Sequence, residues 1–524
     1  MCSSSTASFE VEENSMGTSG KSVKTIIDND ICAPMNAPTD SWVGSLKVII
    51  GKPAQTILLV VMMAGLPLFI PRLGSALSLK GQSYREMLPN PHELISFRRV
   101  EQSQNSGELP GGSAASENSQ ATHNEEKIPD QASRLISDPS HALDSFYAKL
   151  ARTDARESQA ITRIAHYGDS PVTNDGTTAP VRRLLQERFG DAGHGFILID
   201  KPWVWYGHQA ITFTSNAGWT IDTLASPGVG DGAFGLGGAS FRSTDAGKYV
   251  RFAPASGGDT GKNFSRMDVY FLRQSNGGQF TIDVNGSNEQ TVTTVSEVPE
   301  SGFWEIKAPQ NGANTFEIRT KEGRVRLFGA VLENDGPGVV YDSLGINGAS
   351  ARLLVTVMNE QHWIAQLQHR RPDLVILNYG TNESEAASDS QVAVYERDLL
   401  EVVRRVREAL PDASILILSP MDRGTHVGGK VITLPSIPKI VDMQRRVALE
   451  SNCAFLNLFE AMGGEGTMAR WHEGRTHLVG GDLTHPTGEG AETIGKLIFQ
   501  AIINGYEQYQ ARVDSEKRQL VTTK

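Results

Sequence analysis

The sequence predicts an α/β fold: a three-layer parallel sheet with an inserted β-sandwich, preceded by a disordered tail and a single membrane-anchor helix. Three observations predict it. Downstream of residue 336, short apolar runs such as Asp373 to Leu377 (DLVIL), Ser414 to Leu418 (SILIL) and Ala454 to Leu458 (AFLNL) alternate with helix-periodic stretches. That is the pattern of a parallel sheet covered on both faces. Between residues 219 and 335 the pattern changes to short alternating strands separated by Gly, Asn, Asp and Pro turns, the signature of a sandwich. Before residue 136, one strongly apolar run stands within otherwise polar sequence. With 524 residues, 39% of them hydrophobic, the chain can bury more than one core.

Taken in order, residues 1–50 are rich in Ser, Thr, Asn and acidic groups and are expected to be disordered. The string Gly17 to Ser22 (GTSGKS) is half a phosphate loop, but Ser15 stands where its first glycine is required and no buried strand precedes it, so no nucleotide site is expected. Within 51–80, Thr56 to Ile70 (TILLVVMMAGLPLFI) is the most apolar run, extendable to Leu79 if Arg72 snorkels at an interface. A membrane contact through residues 56–79 is the preferred reading; a signal-type segment or a buried hairpin is the alternative. The flanking charges, Lys47 and Lys52 against Arg72, Lys80 and Arg85, do not set its orientation. Residues 81–135 form a flexible linker, polar and rich in Gly, Ser and Pro between 100 and 133.

Residues 136–218 hold the first part of the α/β domain, with a helix from Pro139 to Leu150 and a strand from Ile161 to Tyr167. The insertion, 219–335, carries runs such as Lys248 to Phe252, Met267 to Leu272, Phe280 to Val284, Phe303 to Ile306 and Thr315 to Ile318, with Val284-Asn285-Gly286-Ser287 as a hairpin signal. Residues 336–510 resume the α/β pattern, with helices expected over Ser350 to Gln368, Gln391 to Ala409, Val441 to Glu450 and Glu489 to Tyr506.

The chemistry concentrates at predicted strand ends. Gly168-Asp169-Ser170 closes the Ile161 to Tyr167 run and places a hydroxyl at the end of a strand. Asn378 to Glu383 (NYGTNE) puts a side-chain amide at another, and Gly481 to Thr487 (GDLTHPT) places Asp482 and His485 three residues apart in one loop. Serine hydrolysis needs a hydroxyl, an imidazole to take its proton, a carboxylate to fix the imidazole tautomer, and donors for the oxyanion. All four residue types are present. Ser170 lacks the Gly-x-Ser-x-Gly elbow of the α/β-hydrolases.

With these blocks in hand, the sequence resembles the SGNH (GDSL-type) hydrolase superfamily. Gly168-Asp169-Ser170, Ile346-Asn347-Gly348-Ala349, Gly380-Thr381-Asn382-Glu383 and Asp482-Leu483-Thr484-His485 match its four blocks in order, across roughly residues 160 to 218 and 336 to 506. Glu383, where the family more often has Asp, and Pro171, where Leu or His is commoner, depart from the pattern. The resemblance implies a flavodoxin-like sheet and a triad of Ser170, His485 and Asp482, with the backbone N–H groups of Ser170 and Gly348 and the Asn382 amide as oxyanion donors. It implies no cofactor. A sandwich inside such a domain resembles polysaccharide and peptidoglycan O-acetylesterases, which implies an O-acylated carbohydrate substrate, a jelly-roll module and an extracytoplasmic catalytic domain. Two alternatives remain: an O-acetyltransferase that passes the acyl group to a sugar hydroxyl, and a non-catalytic carbohydrate-binding protein of the envelope.

Other residues are candidates for contact with substrate or metal. His194, Trp203, Trp205, Tyr206 and His208 make an aromatic and imidazole-rich stretch after the serine block, and the first four are candidates to stack on a sugar. His166 reads as structural. Trp471 to His477 (WHEGRTH) resembles a zinc-protease helix, but its histidines are five apart and Gly474 weakens the helix, so no metal is expected. Three scattered cysteines make no disulfide framework, and a net charge of −11 excludes a phosphate-neutralising face and hence a nucleic-acid partner.

Overall fold

The structure, a computed structural model, describes residues 135–386 and 388–522. The expected tail (1–50), the apolar segment (51–80) with its membrane contact at 56–79, and all but the last residue of the linker (81–135) lie outside the described residues. Among the described residues no helix is long and apolar enough to cross a membrane.

The central sheet has six strands in the order Ile136–Ser137, Ala454–Leu456, Ser414–Leu418, Leu374–Asn378, Ile161–Gly168, Gly338–Gly345. All neighbours are parallel except the first pair. The apolar runs are continuous because both faces are covered. Val375, Leu377, Ile415 and Ile417 belong to one core, with Trp363, Leu399, Val402 and Ile440 from the helices Glu360–Arg370, Asp389–Ala409 and Ser436–Glu450. Leu374, Ile376, Leu416 and Leu418 belong to the other, with Phe146, Leu185, Ile498 and Tyr506 from the helices Asp144–Asp154, Thr178–Phe189 and Gly488–Thr522. Alternate residues of each strand thus serve opposite helical layers, as a pleated strand requires.

Helix boundaries follow local chemistry. The helix expected over Ser350 to Gln368 is two helices, Ala351–Thr356 and Glu360–Arg370. Asn359 is extended and its side chain accepts the His362 N–H, so it restarts the helix as an N-cap. Ser388 and Gln391 form a reciprocal capping box that starts Asp389–Ala409. Ala454–Leu456 is shorter than expected because Asn457 caps a short following helix.

The insertion is two antiparallel sheets packed face to face. One runs Gln290–Thr293, Gln279–Val284, Phe316–Glu322, Tyr249–Pro254, Ile211–Ser215; the other runs Glu300–Lys307, Arg266–Arg273, Val325–Glu333, Ala239–Ser243, Thr220–Thr223, with Gly195–Ile197 added on Val325–Glu333. Phe271 and Phe280 meet across the two sheets edge to face at 5.2 Å. Asn285 and Gly286 take positive φ at the expected hairpin between Gln279–Val284 and Gln290–Thr293. Two sandwich strands, Gly195–Ile197 and Ile211–Ser215, precede residue 219, so the module draws on chain that reads by sequence as the α/β domain.

The sandwich core is continuous with one helical layer: Phe234, Leu236, Phe241 and Phe328 share a cluster with Ile346, Leu354 and Trp363. A buried ion network crosses the same junction. Arg370 bonds Asp342 at 2.7 and 3.0 Å and Glu333 at 2.5 Å, while Arg163 holds Glu333 at 2.9 and 2.8 Å. Burial opposes ionisation of Glu333, but Arg370, Arg163 and Arg266 together hold its carboxyl well below the usual range.

Candidate active site

Parallel pairing assembles the site. Gly168 lies opposite Gly345 on one side and Asn378 on the other, so three strands end side by side at their carboxyl ends, where open α/β sheets place ligands. Gly168 is required there: a Cβ would sit 2.5 Å from Val172 Cγ2, because the chain turns at once into the short helix Ser170–Thr173. Ser170 is the first residue of that helix.

The loop before helix Gly488–Thr522 supplies the partners. Ser170 Oγ lies 2.7 Å from His485 Nε2, and His485 Nδ1 lies 2.6 Å from Asp482 Oδ2. The other oxygen of Asp482 accepts the backbone N–H groups of Thr484 and His485, each at 3.0 Å. Leu483 takes φ +55° between them, which is how a four-residue loop folds both the backbone and the imidazole onto one carboxylate. Burial pulls the Asp482 carboxyl upward, but the hydrogen bonds from His485 and Thr484 outweigh it and hold the group below its ordinary value. An ionised Asp482 fixes the proton on Nδ1 and leaves Nε2 free to accept from Ser170. The His485 and Asp482 side chains are 49% and 53% exposed, so the pair stands at an open surface.

Gly348 and Asn382 face a common cavity of about 290 Å³, lined also by Ser350, Arg352, Glu383 and Asp398. Gly348 takes φ +72° with open space where a Cβ would be. The Asn382 amide donates one N–H to Ala349 O at 2.7 Å, which leaves its second N–H for a ligand. Behind these groups lie two carboxyls that the sequence motifs did not single out for a role. Asp169 is buried with Oδ2 lacking a hydrogen-bond partner, and burial, reinforced by the charge of Glu383, pushes it up to about 7. Burial likewise pushes Glu383 up to about 7, although it accepts the N–H groups of Gly380 and Ala351. The departure from Asp at position 383 was the one visible signal.

The aromatic stretch divides. His194 and Tyr206 are buried, and both bond His208, at 3.0 and 2.9 Å; Tyr206 also accepts the Leu198 N–H. Expected as sugar contacts, they are instead buried groups joined through His208, with His194 Nδ1 left without a partner among the described residues. Trp203 packs half-buried against the core, whereas Trp205 is 55% exposed beside an exposed Val204. His166 is buried and bonds Tyr341 at 2.7 Å, and burial lowers its pKa to about 4, in line with a structural role.

Asp175, His194 and His208 are the one group among the described residues close enough to share a metal ion. Asp175 is already held by Arg182 at 2.9 and 2.5 Å, by Thr178 at 2.7 Å and by Gln209 N at 3.0 Å. The guanidinium occupies the charge position a cation would need. In the zinc-protease-like stretch, the helix ends at Glu473, and His477 Nδ1 bonds the His472 carbonyl at 2.7 Å.

Comparison with known proteins places this geometry. Residues 310–493 match the GDSL-like lipase/acylhydrolase family. Over these residues the chain resembles the SGNH (GDSL-type) hydrolases, and the match together with the structural likeness below supports an esterase. More particularly, it resembles a solved structure described as a peptidoglycan O-acetylesterase in action, with TM-score 0.60 and 25% identity over 71% of this chain and 99% of that one. A family two carbohydrate esterase from Clostridium thermocellum aligns over 52% of this chain and 95% of its own, at 12% identity and TM-score 0.22. No curated protein matches the chain in sequence.

Proposed function

We propose that the protein removes O-acetyl groups from a cell-envelope polysaccharide through an acyl-enzyme. Ser170 attacks the ester carbonyl as His485 Nε2 takes its proton, and His485 returns that proton to the departing sugar oxygen. Asp482 orients the imidazole and stabilises its charged form. The backbone N–H groups of Ser170 and Gly348 and the free Asn382 N–H receive the oxyanion. Water then repeats the sequence and releases acetate and Ser170. The observation that carries this reading is the unbroken Ser170–His485–Asp482 chain at 2.7 and 2.6 Å.

Two features support a polymer as substrate: the half-exposed His485–Asp482 pair, which a chain of sugars can reach without entering a tunnel, and the likeness to a peptidoglycan O-acetylesterase over nearly all of that protein. The same openness to water favours hydrolysis over transfer to a sugar hydroxyl. Trp205, exposed on the loop after Gly195–Ile197, is the residue of the aromatic stretch available to stack on a sugar face. The apolar run at 56–79 and the polar linker after it support a membrane-anchored protein whose catalytic domain works outside the cytoplasm.

The test is acetate release from O-acetylated peptidoglycan and from acetylated xylan, with no acceptor added, by wild type and Ser170→Ala. Release from peptidoglycan that the variant loses is expected. Turnover that requires an added sugar acceptor would replace the esterase reading by transfer.

A further inference from the structure

Two loops must keep a fixed separation for the oxyanion donors to converge. One, Ile346 to Ala351, carries Gly348; the other, Gly380 to Glu383, carries Asn382. Two ties join them. The first is the Asn382 amide on Ala349 O at 2.7 Å, but this is a group that must also meet the substrate. The second is Glu383, whose Oε1 accepts Ala351 N–H at 2.9 Å while Oε2 accepts Gly380 N–H at 3.0 Å. Its two oxygens therefore reach one backbone donor in each loop. Glu383 also lines the cavity shared by Gly348 and Asn382, yet nothing in the triad uses it.

We propose that Glu383 is the positioning residue of the oxyanion pocket, clamping the Gly348 and Asn382 loops together through one bidentate carboxyl. The inference rests on the esterase reading of the same site. An ionised carboxylate is suited to the task because both oxygens accept, whereas a glutamine at 383 turns an N–H₂ toward one of the two backbone donors. An aspartate is one methylene shorter and cannot span both loops from the same backbone position. Oxyanion donors act mainly in the transition state, so loosening them lowers kcat rather than weakening binding.

The experiment is steady-state kinetics on a small aryl acetate for the full-length Glu383→Gln, Glu383→Asp and Glu383→Ala proteins, together with amide hydrogen exchange at Gly380 and Ala351. Misplaced donors of this kind cost about 10- to 100-fold, and kcat should fall by that amount in the alanine variant with KM within about twofold. The glutamine and aspartate variants should fall between alanine and wild type. Exchange should rise at Gly380 and Ala351 while the strand Ser414–Leu418 stays protected. Unchanged kcat, a change in KM alone, or wild-type protection at both amides in Glu383→Ala would overturn the proposal. Wild type and Ser170→Ala assayed alongside separate the readings: an inactive wild type counts against the esterase, and the exchange measurement still decides the clamp.

Discussion

Ser170 and His485 stand 315 positions apart in sequence yet meet at 2.7 Å, so each depends on the other for its chemistry. Ser170→Ala and His485→Ala should each remove most of the activity, and the double variant should cost little more than either, since groups acting as a unit are not additive. Full activity in folded Ser170→Ala would end the reading. Asp482→Asn should cost less than loss of the nucleophile, because the serine and imidazole remain while the tautomer is no longer fixed. For Asn382→Ala, turnover of an aryl acetate should drop by about two to three orders of magnitude with KM little changed. These residues were legible in sequence because each sits in a short motif whose geometry is set within a few residues. The aromatic stretch was not: composition does not say which way a ring points, and His194 and Tyr206 point into the fold while Trp205 points out.

At the scale of elements, strands at the sheet centre were readable because burial on both faces makes them continuously apolar. Gly338–Gly345 and Val325–Glu333 were not singled out, although every residue of both is buried. Arg326, Glu333 and Asp342 break their apolar pattern, and each is buried by pairing with a charge that is distant in sequence. A similar burial of charge makes a pH prediction at the junction of the nucleophile turn and the Asn382 loop. Asp169 faces the charge of Glu383 there and Glu383 that of Asp398, with Tyr379 and Tyr395 nearby. Both carboxyls titrate higher in the fold than in the unfolded chain, so their protonated forms stabilise it. That contribution is complete below about pH 4 and is lost as pH rises through about 7. Thermal unfolding between pH 5 and 8 should therefore show a decline in wild type that is shallower in Asp169→Asn. Parallel profiles in the two proteins would mean the carboxyl is ionised throughout.

For the whole molecule, the sequence separates an α/β domain from a sandwich, and the structure joins them through a shared core and one ion network. Excising 219–335 would leave Gly195–Ile197 and Ile211–Ser215 without partners, so removal of the module is not a clean test of polymer contact. Trp205→Ala is: turnover of O-acetylated polymer should fall by more than turnover of an aryl acetate, and equal effects would remove Trp205 from the substrate path. The junction itself makes a stronger prediction. Arg370 is buried and neutralises both Asp342, on a strand of the central sheet, and Glu333, on a strand of the sandwich. Removing one partner of a buried pair leaves charge without compensation, which costs about 3 to 5 kcal/mol, whereas a surface pair is worth under about 1 kcal/mol. Arg370→Ala should accordingly lower unfolding stability by about 3 to 5 kcal/mol, whereas Arg404→Ala, at an exposed network, should change it far less. Because the lost charge serves both halves, urea unfolding followed by tryptophan fluorescence and by far-ultraviolet circular dichroism should remain one coincident transition in Arg370→Ala, moved to lower urea. Two separated transitions would show that the sandwich and the catalytic sheet fold independently and that the buried network only decorates their contact.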